Sequence, residues 1–169
     1  MPLNEAYLRS MVLAPIETVL TDADVMLYAL SIGLGRDPLN ADELRYVYEK
    51  DLKAFPTLPL VIGHPGPGWI VDPQSGVTRS KIVYGAQAIS SFKPLPTGET
   101  LVSENKIIDV QDKGEKGAVV LMERSTYSKA SGDMLARAES QIFCRADGGF
   151  GGRRGARDGE VVVTFPDRE

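Results

Sequence analysis

Apolar and polar residues change their pattern about halfway along this chain. In the first half the apolar residues cluster at helical spacing. Pro15-Ile16-Glu17-Thr18-Val19-Leu20 is β-branched and apolar and predicts a short opening strand. Thr21-Asp22-Ala23-Asp24 follows, a capping signature in which a hydroxyl and a carboxylate satisfy exposed backbone N–H groups. It opens Val25 to Leu34, a segment with so little polar face that the expected helix is buried on most sides. Gly33 and Gly35 end it. Asn40-Ala41-Asp42-Glu43 is a second cap and starts a short amphipathic helix over Leu44 to Lys50. Thr57 to about Gly66 is apolar, carries Thr and Pro near its start, and predicts a short buried helix that Gly66-Pro67-Gly68 breaks. Asp72-Pro73-Gln74-Ser75-Gly76 is a turn cluster.

The second half alternates with the period of strands. Strands are expected over Ile82 to Phe92, Thr100 to Val110, Ala118 to Tyr127 and Met134 to Arg145. A Pro/Gly loop at 93–99, a turn at 112–117 and a tight hairpin at Ala130-Ser131-Gly132-Asp133 separate them. The last strand puts Ala136, Ala138, Ser140, Ile142 and Cys144 on one face, small enough for another layer to approach closely. Helices followed by an antiparallel meander indicate an α+β fold. Residues 1–146 are expected to form one domain. Residues 147–169 are expected to be a Gly/Arg-rich flexible tail with a possible short terminal strand at Glu160 to Phe165.

Composition narrows the chemistry. At 169 residues the chain is long enough for a real core. A net charge of −4 argues against a nucleic-acid surface, and no apolar run is long enough to cross a bilayer. The N-terminus has no apolar core of a signal peptide, and Cys144 is the single cysteine, so the default expectation is a cytoplasmic protein without disulfides. A single histidine, His64, rules out a His-rich metal site, and no metal or cofactor is expected.

The segment Gly33-Leu34-Gly35-Arg36-Asp37-Pro38-Leu39-Asn40 resembles the G-D-x-N-P-L-H motif of the MaoC-like (hydratase 2) hot-dog enzymes. Gly35 falls where the family has its catalytic Asp, and Asn40 where it has its catalytic His. The resemblance runs over roughly residues 10 to 155. It is carried by Tyr28-Ala29-Leu30, Leu58-Pro59-Leu60-Val61-Ile62-Gly63 and Gly148-Gly149-Phe150-Gly151-Gly152, and it is to the non-catalytic N-terminal repeat. It implies a hot-dog fold, an antiparallel sheet wrapped around a central helix. At the first meander strand, where relatives carry His-Gly-Glu-Gln, this chain reads Tyr84-Gly85-Ala86-Gln87. In catalytic relatives a carboxylate and an imidazole hold a water against an enoyl thioester, adding hydroxide and a proton. Gly35 and Asn40 supply neither role.

The resemblance therefore implies the acyl-accommodating, non-catalytic subunit or half of an enoyl-CoA hydratase or (3R)-hydroxyacyl-thioester dehydratase. It would act on a fatty-acyl or steroid side-chain thioester of CoA or acyl carrier protein. A catalytic hot-dog chain or domain would complete a double hot dog, with the linker to such a repeat expected where this chain ends. Thr57, Trp69, Tyr84 and Gly85 are the expected substrate-binding residues. Other readings of single residues stay open. His64 is a substituted general acid or a satisfied imidazole at a helix end. Asp37 is a turn residue or a displaced acid. Trp69, Ile70 and Val71 line a groove or close the core. Arg153, Arg154 and Arg157 grip a CoA phosphate or lie in a solvated linker. Cys144 is an inert buried thiol. Two alternatives from other classes remain: a homodimeric acyl-thioester binding module without catalysis, and a hot-dog thioesterase, which the lack of Asp or Glu in 57–66 disfavours.

Overall fold

The structure, a computed structural model, describes residues 3–155. In chain order its elements are α1 (Glu5–Ser10), β1 (Ile16–Val19), α2 (Asp22–Ser31), α3 (Ala41–Val47), the helical turn α4 (Gly68–Val71), β2 (Ile82–Ser91), β3 (Thr100–Asp112), β4 (Ala118–Ser128) and β5 (Met134–Cys144). The five strands form one antiparallel sheet in the order β1-β3-β4-β5-β2. β3, β4 and β5 are the expected meander. β2 departs from it. Instead of pairing with β3, its sequence neighbour, it crosses to the far side and pairs with β5, where Ile82 faces Cys144. A sheet of this order curled around short helical segments is the α+β hot-dog arrangement.

The concave face carries two apolar clusters. One joins Leu8 and Trp69 to Val110, Val120, Ile142 and Cys144. The other joins Leu20 and Val25 to Leu58, Ile62, Leu101 and Leu135. A polar strip separates them. Strand register places Ser103 opposite Thr126 and Asn105 opposite Arg124, and all four are buried.

Three expectations need correction. The helix expected over Thr57 to Gly66 is only a 3₁₀ turn, Leu58–Leu60, followed by non-helical turns. Gly63 (φ 61°) and Gly66 (φ 71°) take left-handed backbone conformations that a helix cannot contain, and Pro65 between them has no N–H to donate. Gly63 also lies so close to Ser103 that a Cβ there would collide with its side chain. Arg124 satisfies the carbonyls that this break leaves without partners. Its Nη1 donates to the carbonyls of Pro59 (3.1 Å), Leu60 (3.0 Å) and Ile62 (3.0 Å). Its Nε donates to Asn105 Oδ1 (3.0 Å), and Asn105 Nδ2 donates to the Gly63 carbonyl (3.0 Å).

Second, α2 is not buried on most sides. Its capping box forms as expected between Thr21 and Asp24, but only Val25 and Ala29 face the sheet. Leu27 (68% exposed), Leu30 and Ile32 face outward. The helix lies on the rim of the concave face, so only one stripe of it meets the core. Third, the Gly/Arg-rich stretch after residue 146 is, over its described part, bound into the fold. The buried Asp112 carboxylate accepts from the N–H groups of Gly114 (2.8 Å), Gly149 (2.7 Å) and Gly151 (2.7 Å). Asp147 accepts from the Thr78 N–H (3.0 Å) and hydroxyl (2.6 Å). A Cβ at Gly148 would run into the carbonyls of Gly114 and Gly117. Arg157 and the strand expected at 160–165 lie outside the described residues. α1 was not expected. It is capped by Asn4, whose side chain accepts from the Tyr7 N–H, and it buries Leu8.

Candidate functional site

The loop between α2 and α3 contains the degenerate motif. Gly33 (φ 95°) and Gly35 (φ 75°) turn the chain out of α2. Asp37 makes the expected turn, its carboxylate accepting from the Leu39 N–H (2.9 Å). Asn40 caps α3, accepting from the Asp42 N–H (3.1 Å). Glu43, in the first turn of α3, closes the loop. One of its oxygens accepts from the Gly35 N–H (2.7 Å) and the other from Asn40 Nδ2 (3.0 Å). The two positions that would hold the proton-transfer groups are thus tied to each other through one carboxylate. The Asn-x-x-Glu spacing of the second cap was the sequence signal for this contact.

Breaking the central helix leaves room beside it. A cavity of about 420 Å³ opens between α2 and the 58–62 segment, lined by Leu20, Leu27, Tyr28, Leu58, Val61 and Ile62. That volume is within the range of small-molecule sites. Leu27 and Val61 (55% exposed) stand at its mouth. Tyr28 OH lies 2.8 Å from Thr57 Oγ1, so Thr57 reaches this cavity through Tyr28. Trp69 is in neither place. It is 2% exposed in the first apolar cluster, with its indole N–H 3.1 Å from Met122 Sδ, and it presents no surface to a ligand. Ile70 packs against the same cluster. Cys144 is buried there too; burial first, then the Asp147 charge, push its thiol up to about 12.

His64, Tyr84 and Gly85 come together at the β2 side of the concave face. Gly85 sits at the β-bulge between Tyr84 and Ala86. Tyr84, opposite Ile142, sends its side chain over the concave face, and its hydroxyl lies 3.4 Å from His64 Nε2. His64 Nδ1 accepts from the Gly66 N–H at 3.0 Å. Burial, and then the Arg124 cation, lower the imidazole pKa. His64 therefore does not end a helix; it sits in a turn and is held neutral. Arg124, only 7% exposed, lies behind it, and among the described residues no carboxylate pairs with that guanidinium. Sequence reasoning missed Arg124, although alternation along β4 puts it on the same face as Val120 and Met122.

Arg153 meets Asp109 at 3.5 Å, and Asp109 also holds Arg9 at 2.9 Å. Among the described residues no three His, Cys, Asp or Glu side chains converge to hold a metal ion, and no helix is long and apolar enough to cross a membrane.

Comparison with known proteins agrees with this geometry. The chain is 30% identical over 153 residues to enoyl-CoA hydratase ChsH3 of Mycobacterium tuberculosis, covering 89% of this chain and 53% of that protein. It is 33% identical to the peroxisomal enoyl-CoA hydratase 2 of Arabidopsis thaliana, covering 76% and 43% respectively. The chain spans about half the length of the curated relatives it matches. The MaoC-like dehydratase of Phytophthora capsici superposes over 96% of this chain and 55% of its own, with a TM-score of 0.72 at 24% identity. The ChsH1–ChsH2 and HadBC complexes of M. tuberculosis share the fold, with TM-scores of 0.57 and 0.60. The description of the MFE-2 hydratase 2 N-terminal domain matches residues 19–146, and the chain belongs to that family, within the MaoC-like enoyl-CoA hydratases and 3-hydroxyacyl-thioester dehydratases.

Proposed function

We propose that this chain is the non-catalytic, acyl-accommodating half of a MaoC-like enoyl-CoA hydratase or (3R)-hydroxyacyl-thioester dehydratase, completed by a catalytic hot-dog partner that carries the Asp/His dyad. The observation that carries this reading is the Glu43 carboxylate joining Gly35 to Asn40. Hydration needs a base and an acid within reach of one water, and here the carboxylate that lies between the two positions is occupied by two donors, while Asp37 is engaged by the Leu39 N–H and Asp42 by Arg45.

Two further features support it. The 420 Å³ apolar cavity under α2 offers room for a bulky or branched fatty-acyl tail or a steroid side chain. β2 is a ten-residue edge strand with Val83 and Tyr84 exposed and Phe92 exposed just beyond its end, which suits pairing with a second sheet. Two proteins of similar fold, HadBC and ChsH1–ChsH2 of M. tuberculosis, are complexes, which is consistent with a partner for this chain. In this reading Tyr28, held by Thr57, lines the tail site and Tyr84 and Gly85 face the thioester end, while Trp69 supports them from the core.

The test is hydration of crotonyl-CoA, and of longer and branched enoyl-CoA substrates, by the chain alone and by the chain mixed with a MaoC-like chain carrying the dyad. Turnover only in the mixture is expected, with Leu27→Trp shifting the mixture toward shorter substrates. Hydration by the isolated chain at the rate of the mixture would overturn the reading. A stable homodimer that ignores every such partner would favour a binding module instead.

A further inference from the structure

The His64–Tyr84–Arg124 group has a use that the degenerate motif does not explain. A backbone N–H has only a proton to offer, so the Gly66 N–H pointing at Nδ1 (3.0 Å) requires a lone pair there. The imidazole proton then resides on Nε2, facing Tyr84 Oη at 3.4 Å. With that oxygen accepting, the Tyr84 O–H is left as an outward donor, and the residue is 60% exposed. Asn105 and Arg124 form the back of the recess.

The balance of charge there is positive. Arg124 stays protonated, and its hydrogen-bond partners among the described residues are carbonyl and amide oxygens. Glu123, on the adjoining part of the recess, is engaged by Lys106 at 2.8 Å. The recess holds about 10 Å³, the room of a single water or one oxygen atom and not of a whole ligand. Backbone pairing along the β2 edge leaves the Tyr84 side chain free, because it stands on the concave face.

We infer that the Tyr84 hydroxyl, oriented by the His64 Nε2–H and backed by the Arg124 guanidinium, forms a binding site for one carbonyl or carboxylate oxygen of an acyl substrate. The identity of the ligand as an acyl compound rests on the function proposed above; the donor geometry does not. His64 in this arrangement is a neutral hydrogen-bond donor, as an imidazole with one nitrogen fixed as acceptor must be. It transfers no proton.

His64 is the only histidine in the chain, which makes it a single-site probe. The experiment is ¹⁵N-imidazole NMR on the full chain without partner, titrated separately with crotonyl-CoA, crotonate and CoA. In the free chain the Nε2-protonated tautomer is expected. Crotonyl-CoA should shift the His64 signals, and Tyr84→Phe should weaken that binding roughly tenfold without altering the free-chain tautomer. A shift with crotonyl-CoA alone assigns a thioester carbonyl; a shift with crotonate as well assigns the site to acyl carboxylates too. An Nδ1-protonated tautomer overturns the inference. So does an equal shift with CoA alone, or the absence of any shift with both acyl probes. If the mixture with a catalytic partner is active while these signals stay unmoved, this site fails and the proposed function stands. The reverse pattern fails the function and leaves the site.

Discussion

The two ends of the concave face are built by different means. At one end α1, Trp69 and the sheet form a closed apolar cluster, and the glycine loop is tied to the buried Asp112. At the other end the helical segment is broken, its carbonyls are held by Arg124, and an apolar cavity opens beside it. The interior of the first end is filled, and the hollow over its cluster is an open surface depression of about 750 Å³ lined by Pro67, Ile70, Val71, Val77 and Ile82. The second gives up packing and exposes Leu27 and Val61 at a cavity mouth. The difference suggests that one end stabilises the domain so that the other can remain hollow.

Three substitutions test that division, the largest effect first. Trp69→Ala empties the solid end and should cost about 3–5 kcal/mol in denaturant-measured stability; a loss below about 1 kcal/mol would mean the cluster is not the main support. Arg124→Met removes the donors to three carbonyls and should cost about 2–3 kcal/mol. Hydrogen exchange should quicken at Leu60, Val61 and Ile62 while β4 and β5 keep their protection. Unchanged exchange at those three amides would show that the turn holds itself. Asp112→Asn should cost about 1–2 kcal/mol near neutral pH, loosening the glycine loop.

That last effect has a defined pH dependence. Hydrogen bonds from the N–H groups of Gly149, and then Gly114, Gly151 and Gly152, lower the Asp112 pKa against the opposing effect of burial. A depressed carboxylate stabilises the fold fully above its unfolded pKa, near 4, and loses that contribution as pH falls through this range toward the folded value. The gap between wild type and Asp112→Asn should therefore narrow from pH 6 to pH 3. A gap that is constant over that range would rule out the ionised carboxylate as the anchor.

The strands were legible because alternation of side chains is a local property. Ala136, Ala138, Ile142 and Cys144 are all buried as their spacing indicates. The crossing of β2 to β5 was not legible, since pairing partners depend on the path of residues 92–100 and not on strand content. The helix expected at 57–66 failed on residues present in the sequence: Gly63, Pro65 and Gly66 outweighed an apolar run. α2 misled for the opposite reason, because an all-round apolar helix can also sit at the wall of a cavity. Of the candidate site, Gly35 and Asn40 were readable from the motif and its spacing. The Glu43 contact with Asn40 was signalled by its spacing, but its reach to Gly35, the meeting of His64 with Tyr84 and the Arg124 contacts needed three-dimensional placement that links positions 8 to 65 residues apart.

Among the described residues β2 has one open edge along its length, and that edge bears on how the fold fares in a cell. Such an edge, with Val83 and Tyr84 exposed on it and Phe92 just beyond it, is a template on which another strand can pair, a second copy's included. Nothing in that strand carries a charge to discourage such pairing, since it reads Ile-Val-Tyr-Gly-Ala-Gln-Ala-Ile-Ser-Ser. Where such an edge is left bare, self-association at high concentration is the consequence, and copies in that state become work for chaperones and proteases.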